Sequence, residues 1–441
     1  MSGVFAYGVG VLVIVVGLVV SVALHEIGHM LPAKRFGVRV SQYMVGFGPT
    51  LWSRTVGETE YGVKAILLGG YVRMVGMLPT PGAVGNPPVR GWFGRVAQEA
   101  REGSQEEILP GQDDRAFYRL STPKKLTVML GGPVMNLLIA TVLLAIMALG
   151  IGSPTPTAAI AAVSPCVAAA GAVKCVAADP KSPAAIAAMK VGDTVTSFDG
   201  VAVTSWSQLS GLIQRAGDRT VHVVVRRGGA ERTLTVTPAL VDRPVVDASG
   251  AAVLGKDGTA RTEPAGFLGI TPKWVLERQP LSAVPTSVGT AVAGTARALW
   301  TLPKGVVGVA QSVFGSKPRA QDSVIGVVGI ARIAGQVASD GGGDFGLTGQ
   351  ALGLLSLLAS LNISLFLLNL IPLLPLDGGH VAGALWEGAL RQVARLRGLP
   401  RPRPVDVARM MPVTYAVFVL LAGVGVLLIY ADIVRPVTLG G

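Results

Sequence analysis

Four stretches of the chain are apolar and contain no charged residue. They cover residues 4–24, 126–151, 351–371 and 412–430. A helix needs about 20 consecutive apolar residues to cross the hydrocarbon core of a bilayer, and each stretch has about that length. The pattern therefore predicts a polytopic α-helical membrane protein with four transmembrane helices. The first stretch lacks the basic N-terminal region and the small-residue cleavage site of a signal peptide, so we expect it to be retained in the protein.

Two regions between these stretches show the short-period alternation that is typical of β-strands. Residues 38–74 alternate polar residues with β-branched and aromatic ones, which predicts a β-hairpin region beside the membrane. Residues 157–272 are less hydrophobic and predict a folded domain. Within that domain we expect strands at 221–226, 232–237 and 267–270, a helix at 206–216 and a flexible hairpin insertion at 242–261.

The stretch from Gln279 to Ala296 is uncharged but contains two prolines and many small residues. We expect a surface-lying or loosely helical segment there rather than a fifth span. The predicted organisation is therefore a first transmembrane helix in 1–36, a membrane-associated β-hairpin region in 37–76, a cytoplasmic loop in 77–125, a second transmembrane helix in 126–151, an external domain in 157–272, a segment with surface or amphipathic helices in 273–350, a third transmembrane helix in 351–380, a basic cytoplasmic segment in 381–411 and a fourth transmembrane helix in 412–431.

Composition and charge agree with a membrane protein and set its orientation. Half of the residues are hydrophobic, 15% are charged and the mean hydropathy is +0.55, which excludes a soluble enzyme and a disordered chain. The net charge is +12, with 13 Lys and Arg residues in 31–125 and six in 372–411. Positive loops stay in the cytoplasm, so both termini and the large domain are expected outside. The basic residues then face membrane lipids, and no nucleic acid partner is expected.

Three of the four histidines lie in two short motifs. The first is His25-Glu26-Ile27-Gly28-His29, an H-E-x-x-H sequence at the end of the first apolar stretch. In a helix, residues i and i+4 share a face, so His25 and His29 can present two imidazoles to one metal ion. Zinc suits such ligands, and Glu26 is placed to act as general base and acid on a water molecule. Ionisable groups at membrane depth are costly, which favours function over a capped helix end.

A zinc site of this kind needs a third protein ligand. Asp377 follows the third apolar stretch on the same predicted side of the membrane as His25 and His29. The prolines before it and the glycine pair after it break the helix, which is tolerated at membrane depth where the chain lines a cavity. Asp377 is therefore the expected third ligand. His380 is an alternative ligand or a hydrogen-bonding neighbour of one.

The two motifs together resemble those of the site-2 protease family of intramembrane zinc metalloproteases, in particular its bacterial branch for regulated intramembrane proteolysis. Other segments are similar to the same family in the same order: 45–49 and 68–74 in the hairpin region, Gly132-Pro133-Val134-Met135-Asn136 in the second span, and 323–337 before the third. The resemblance implies an endopeptidase with one Zn²⁺ per chain that cuts transmembrane segments. It also implies a place in the cytoplasmic (inner) membrane of a bacterium.

The family resemblance further implies substrates and additional site residues. The substrates would be single-span proteins such as anti-sigma factors, already trimmed outside by a site-1-type protease, or remnant signal peptides. Asn369 and Asn136 would contact the substrate backbone, while helix–helix hydrogen bonding is the other interpretation of Asn136. The hairpin could hold the unwound substrate by β-addition, or have no role in binding it.

The external domain resembles a PDZ domain. Residues 189–200 follow the core pattern G-D-x-I-x-x-x-(D/N)-G, and the predicted helix at 206–216 comes after it. The resemblance implies an extracytoplasmic PDZ domain that binds a terminal carboxylate or restricts substrate access. Cys166 and Cys175 lie in the same region, where an oxidising exterior favours a disulfide over two free thiols.

Two other classes of function remain open from the residues alone. A non-catalytic PDZ-bearing membrane scaffold would need no general base, which Glu26 argues against. A metal-ion transporter would be expected to show repeated halves and more histidines and carboxylates within its spans.

Overall fold

The computed structural model describes residues 3–167, 175–176, 179–245, 261–315, 319–320, 323–400 and 402–437. It contains two compact units. The first combines Met1–Met147 with Pro280–Gly441, and the second is Ala148–Gln279. The described helices are α1 Gly3–Arg35, α2 Gly91–Glu106, α3 Thr122–Ala145, α4 Pro183–Ile186, α5 Trp206–Arg215, α6 Ala283–Phe314, α7 Val327–Ser339, α8 Leu347–Asn369, α9 Asp377–Leu396 and α10 Met411–Val434.

Four helical stretches of the described chain are long and apolar enough to cross a membrane. They are Gly3–Arg35, Thr122–Ile151, Leu347–Asn369 and Val407–Val434, and they coincide with the four spans expected from the sequence. The first continues well past the apolar run, so that the H-E-x-x-H motif lies inside α1. Lys34 and Arg35 in its last turn are favourable there because the carboxyl end of a helix is the negative end of its dipole.

The third span ends earlier than its predicted limit of residue 380. α8 stops at Asn369, and α9 begins at Asp377. Pro372 and Pro375 lie between them and cannot donate helical hydrogen bonds, which explains the break. The residues Asp377 to His380 therefore form the first turn of a new helix, which also contains much of the predicted basic cytoplasmic segment at 381–411.

Helices α1 and α3 approach each other at glycines. A Cβ atom added to Gly28 would lie 2.3 Å from the Gly131 carbonyl oxygen, and one added to Gly131 would lie 1.9 Å from the Gly28 carbonyl oxygen. Small residues allow this close approach in membrane helix pairs. The contact brings the carboxyl-terminal part of α1 against the residues that precede Pro133.

The hairpin region forms as predicted, with β1 at Val40–Val56 and β2 at Thr59–Met74 pairing antiparallel. Its register shows that each long strand bends back on itself. Gln42 pairs with both Glu60 and Arg73, so the first part of β1 lies between the beginning and the end of β2. Gly46 and Gly48 have positive φ angles at the bend. The end of β2 is left as an edge strand beside α1.

The second unit is built on a sheet of six strands with the order β10-β3-β4-β6-β7 and β5 beside β4. Its strands are β3 Ser153–Val163, β4 Thr194–Phe198, β5 Val201–Ala202, β6 Val221–Arg227, β7 Ala230–Val236 and β10 Ile270–Glu277, and a separate pair is formed by β8 Ala239–Pro244 and β9 Thr262–Phe267. This unit has its own core, in which Ile160, Phe198, Leu209 and Val223 are buried.

Three sequence predictions for this unit need correction or qualification. The domain is longer than 157–272, because β3 begins at Ser153 and β10 ends at Glu277. The single strand predicted at 267–270 is wrong, because β9 ends at Phe267, residues 268–269 form a break and β10 begins at Ile270. The insertion predicted at 242–261 lies largely in residues 246–260, outside the described residues, although β8 and β9 pair on either side of it.

Two further contacts stabilise the second unit. Cys166 and Cys175 are joined by a disulfide, with Cα atoms 6.0 Å apart. The buried Asp193 accepts hydrogen bonds from Arg227 Nε at 2.6 Å and Nη2 at 2.7 Å. These bonds hold the pKa of the Asp193 carboxyl below its ordinary value.

Candidate metal centre

Two imidazoles face each other on consecutive turns of α1. His25 Nε2 and His29 Nε2 are 3.3 Å apart, as the i, i+4 spacing predicts. His29 is buried, and its Nδ1 lies 2.8 Å from the Val128 carbonyl oxygen on α3. A carbonyl oxygen can only accept, so Nδ1 carries the proton and Nε2 of the neutral ring keeps its lone pair.

A carboxylate from the first turn of α9 completes this group. Asp377 Oδ2 lies 3.3 Å from His25 Nε2 and 3.3 Å from His29 Nε2. This oxygen atom is buried and has no hydrogen-bond partner among the described residues. His25, His29 and Asp377 thus form a cluster of three side chains that could hold a metal ion.

The three atoms form a triangle whose edges are all 3.3 Å. Bonds of about 2.0–2.1 Å from a tetrahedral zinc ion to nitrogen and oxygen ligands place neighbouring ligand atoms about 3.3–3.4 Å apart. The triangle therefore has the dimensions of one face of a zinc tetrahedron. Two nitrogen lone pairs and a carboxylate oxygen at this distance repel one another unless a cation or a proton lies between them, so the donor set fits zinc.

The site opens onto a cavity of about 410 Å³. Its lining includes Glu26, Asn369, His380 and the edge strand residues Gly70 and Val72. Glu26 lies at the junction of α1 and β2, because a Cβ atom added to Gly70 would be 3.2 Å from Glu26 Cγ. The arrangement puts a carboxylate, an extended chain edge and the triangle around one space.

The predicted site residues differ in how directly they reach the triangle. His25, His29 and Asp377 form it, whereas Glu26, Asn369 and His380 line the cavity around it. Asn136 was expected to contact substrate or to join helices. Its amide Nδ2 lies 3.1 Å from His25 Nδ1, so this side chain does join α3 to α1. The side chain is 1% exposed and also lines the cavity, and its contact with substrate stays a prediction.

Sequence reasoning missed other polar contacts between the helices of this unit. Asn362 on α8 donates to Ser21 Oγ on α1 at 3.0 Å, four residues before His25. The buried pair Lys125 and Glu387 joins α3 to α9 with Nζ–Oε2 at 2.9 Å. The sequence did contain a signal for Asn362, since a side-chain amide in an apolar run needs a hydrogen-bond partner. No sequence pattern indicated the Val128 carbonyl group, because every residue has a backbone carbonyl.

Comparison with known proteins shows which family this chain belongs to. The model of peptidase family M50, the family of the site-2 proteases, matches residues 13–400. The chain belongs to peptidase family M50. The chain is 34% identical to the zinc metalloprotease Rip1 of Mycobacterium tuberculosis, and the match covers 98% of both chains. It is 30% identical to Rip1 of Mycolicibacterium smegmatis, covering 98% of this chain and 99% of that one.

A more distant relative is the metalloprotease MmpA of Caulobacter vibrioides, which is 27% identical over 88% of this chain and 89% of the relative. Family membership and the four apolar helices together make the protein a multi-pass membrane zinc metalloprotease of the site-2 type. The resemblance drawn from the two motifs is confirmed.

Proposed function

We propose that His25, His29 and Asp377 hold one zinc ion per chain and that Glu26 is the general base and acid of peptide hydrolysis. The observation that carries this proposal is the 3.3 Å triangle of Nε2, Nε2 and Oδ2 atoms, whose size matches a face of a zinc tetrahedron. His380 is then a neighbour that lines the cavity, because its ring is not part of the triangle.

When bound, zinc supplies a Lewis acid that polarises a carbonyl oxygen and makes a water molecule more acidic. Glu26 takes the proton from the attacking water and returns it to the leaving nitrogen of the cut peptide. Asn369 is at the end of α8 on the same cavity, where its amide can bind a peptide N–H or C=O group.

The substrates are transmembrane segments of single-span proteins, unwound before they are cut. A helix hides its scissile carbonyl in hydrogen bonds, and an edge strand offers free groups that can hold the extended form. Gly70, Tyr71 and Val72 line the cavity from the end of β2, beside Glu26, which supports this function for the hairpin. Anti-sigma factors already trimmed outside by a site-1-type protease are the expected class, and remnant signal peptides are a second.

The proposed location is the cytoplasmic membrane of a bacterium, with both termini outside and the metal centre near the cytoplasmic face. One face of α9 supports contact with lipid on that side. Its exposed apolar residues are Leu385, Trp386, Leu390, Val393 and Leu396. Arg395 and Arg397 follow at the end of this helix, where cations suit both the helix dipole and anionic lipid.

The second unit is proposed to be an extracytoplasmic PDZ domain that controls access of substrates. A small cavity between α5 and the segment Phe267–Ile270 supports this, since a helix facing an extended segment is where such domains receive a peptide end. Trp206 and Ile213 line it from the helix. The remaining domain layout stays as predicted from the sequence, apart from the revised helix and strand bounds.

The proposal is tested by comparing the purified wild-type protein with Glu26→Gln on several transmembrane model substrates in detergent, with the zinc content of both measured. Both proteins are expected to hold about one zinc ion, because Glu26 is not in the ligand triangle. Cleavage by Glu26→Gln should fall by about 10²–10⁴-fold, the usual contribution of a general base. Zinc in both proteins without cleavage of any substrate would favour a scaffold, and a wild-type protein without zinc would contradict the ligand assignment.

A further inference from the structure

We propose that Asn136 is a positioning residue for the metal centre, whose Oδ1 accepts a hydrogen bond from His25 Nδ1 and so keeps the Nε2 lone pair available to the metal. The inference rests on the proposed zinc site. Substrate contact and helix joining were the two functions considered for this residue, and the inference adds a third that acts through His25.

The first step is the tautomer that zinc binding requires. A neutral imidazole carries one proton, so a ring that binds through Nε2 has its proton on Nδ1. That N–H is taken out of water and needs an acceptor. For His29 the Val128 carbonyl oxygen provides it at 2.8 Å. For His25 the group opposite Nδ1 is the Asn136 amide at 3.1 Å.

The second step is the orientation of that amide. Asn136 presents Nδ2 to His25, while its Oδ1 is buried and has no hydrogen-bond partner among the described residues. A donor in this place would make Nδ1 the acceptor, and the ring proton would then lie on Nε2, which points into the triangle. Rotation of the amide by about 180° exchanges its two ends and puts Oδ1 opposite Nδ1. Within the described residues, one end of the amide lacks a hydrogen-bond partner in either orientation, so the tautomer of His25 decides between the two orientations.

The third step is that one helix would then support both imidazoles. Val128 and Asn136 are both on α3, and His25 and His29 are both on α1. The glycine contact of Gly28 with Gly131 holds these two helices at backbone distance between the two hydrogen bonds. α3 thus orients the two ligands that α1 carries, which gives Gly131 and Asn136 of α3 a physical reason.

The chain offers a matched control in Asn362. It is also 1% exposed and also contacts α1, and its Oδ1 likewise has no hydrogen-bond partner in the part of the chain that the structure describes. Its Nδ2 donates to Ser21 Oγ at 3.0 Å and to the Leu358 carbonyl oxygen, so it touches no metal ligand. Loss of either amide removes a buried hydrogen bond between helices, but only loss of Asn136 removes the partner of His25.

The test measures the zinc affinity of the full-length protein by competition with a chromophoric chelator, together with Tm. Asn136→Leu is expected to bind zinc about 10- to 100-fold more weakly than wild type, the usual effect of removing an outer partner of a metal ligand. Asn136→Asp should restore the affinity to within about threefold, since both of its oxygens can accept. Asn362→Leu should lower Tm and leave the zinc affinity unchanged.

Equal zinc affinity in Asn136→Leu and wild type would overturn the inference, as would an Asn136→Asp variant as weak as Asn136→Leu. If the leucine variant does not fold, Asn136→Ala removes the same acceptor without added bulk and is held to the same expectations. A wild-type protein that binds no zinc would contradict the proposed function itself. A wild-type protein that binds zinc with no dependence on Asn136 would contradict this inference alone.

Discussion

The Asp377 carboxylate reaches the two histidines from the first turn of α9, three residues before His380 in the same turn. Replacement of Asp377 by Ala removes one corner of the triangle, and we expect that variant to lose most of its zinc on dialysis. His380→Gln alters the cavity wall but no ligand atom, so it should keep about one ion per chain. Zinc content by mass spectrometry checks both. The reverse result would make His380 the third ligand.

The sequence predicted the site residues best where a metal-binding residue type also had the spacing that a shared site requires. The i, i+4 spacing of His25 and His29 and the position of Asp377 after an apolar run were enough to predict the triangle. The hydrogen-bond partner of Asn136 was not predictable, because an amide in a transmembrane helix can face the substrate, the backbone of its own helix or another helix. Which of these it faces depends on the rotation of α3 about its axis, which the sequence does not specify.

Helices α1 and α3 depend on glycine at their crossing. A Cβ atom on Gly131 would lie 1.9 Å from the Gly28 carbonyl oxygen, so Gly131→Ala must separate the two helices. We expect a loss of stability of about 1–3 kcal/mol or more, the cost of overpacking a buried contact, and weaker zinc binding because His25 and His29 lose their support from α3. Thermal unfolding and chelator competition measure the two effects.

The control for this change is Gly8→Ala on α1. A Cβ atom there meets no atom of the described residues within 4 Å, so the substitution adds a methyl group without a clash. Alanine is also the better helix former, and the variant should be as stable as wild type or slightly more stable. An equal loss in both variants would mean that glycine matters in α1 and α3 for reasons other than their contact.

The elements were predicted more reliably than their ends. Apolar length gave the four spans and alternation gave the hairpin, because each is a local property. The residue at which the third span ends and α9 begins was not predicted correctly. The prolines at 372 and 375 indicate a break in the helix but do not specify where the next helix begins. The bent register of β1 and β2 was also beyond prediction, as it pairs one strand with two parts of another.

The site residues all belong to one of the two compact units of the molecule. His25, Glu26, His29, Asn136, Asn369 and Asp377 all lie in the unit that excludes Ala148–Gln279. The excluded unit has its own buried core and disulfide. Its first and last residues are adjacent, because Gln279 N donates to the Ala148 carbonyl oxygen at 2.9 Å. A domain with adjacent ends can be removed with little strain on the chain that remains.

We therefore expect a shortened chain, with residues 148–279 replaced by a few Gly and Ser residues, to fold and to bind zinc as the full chain does. If the excised unit restricts access, a transmembrane substrate that keeps a folded external domain should be cut faster by the shortened chain than by the full one. A substrate already trimmed outside should be cut at similar rates by both. Cleavage of the two substrates by the two proteins, with zinc content as the folding control, separates the possibilities. A shortened chain that holds zinc but cuts neither substrate would show that the second unit delivers substrate rather than excludes it.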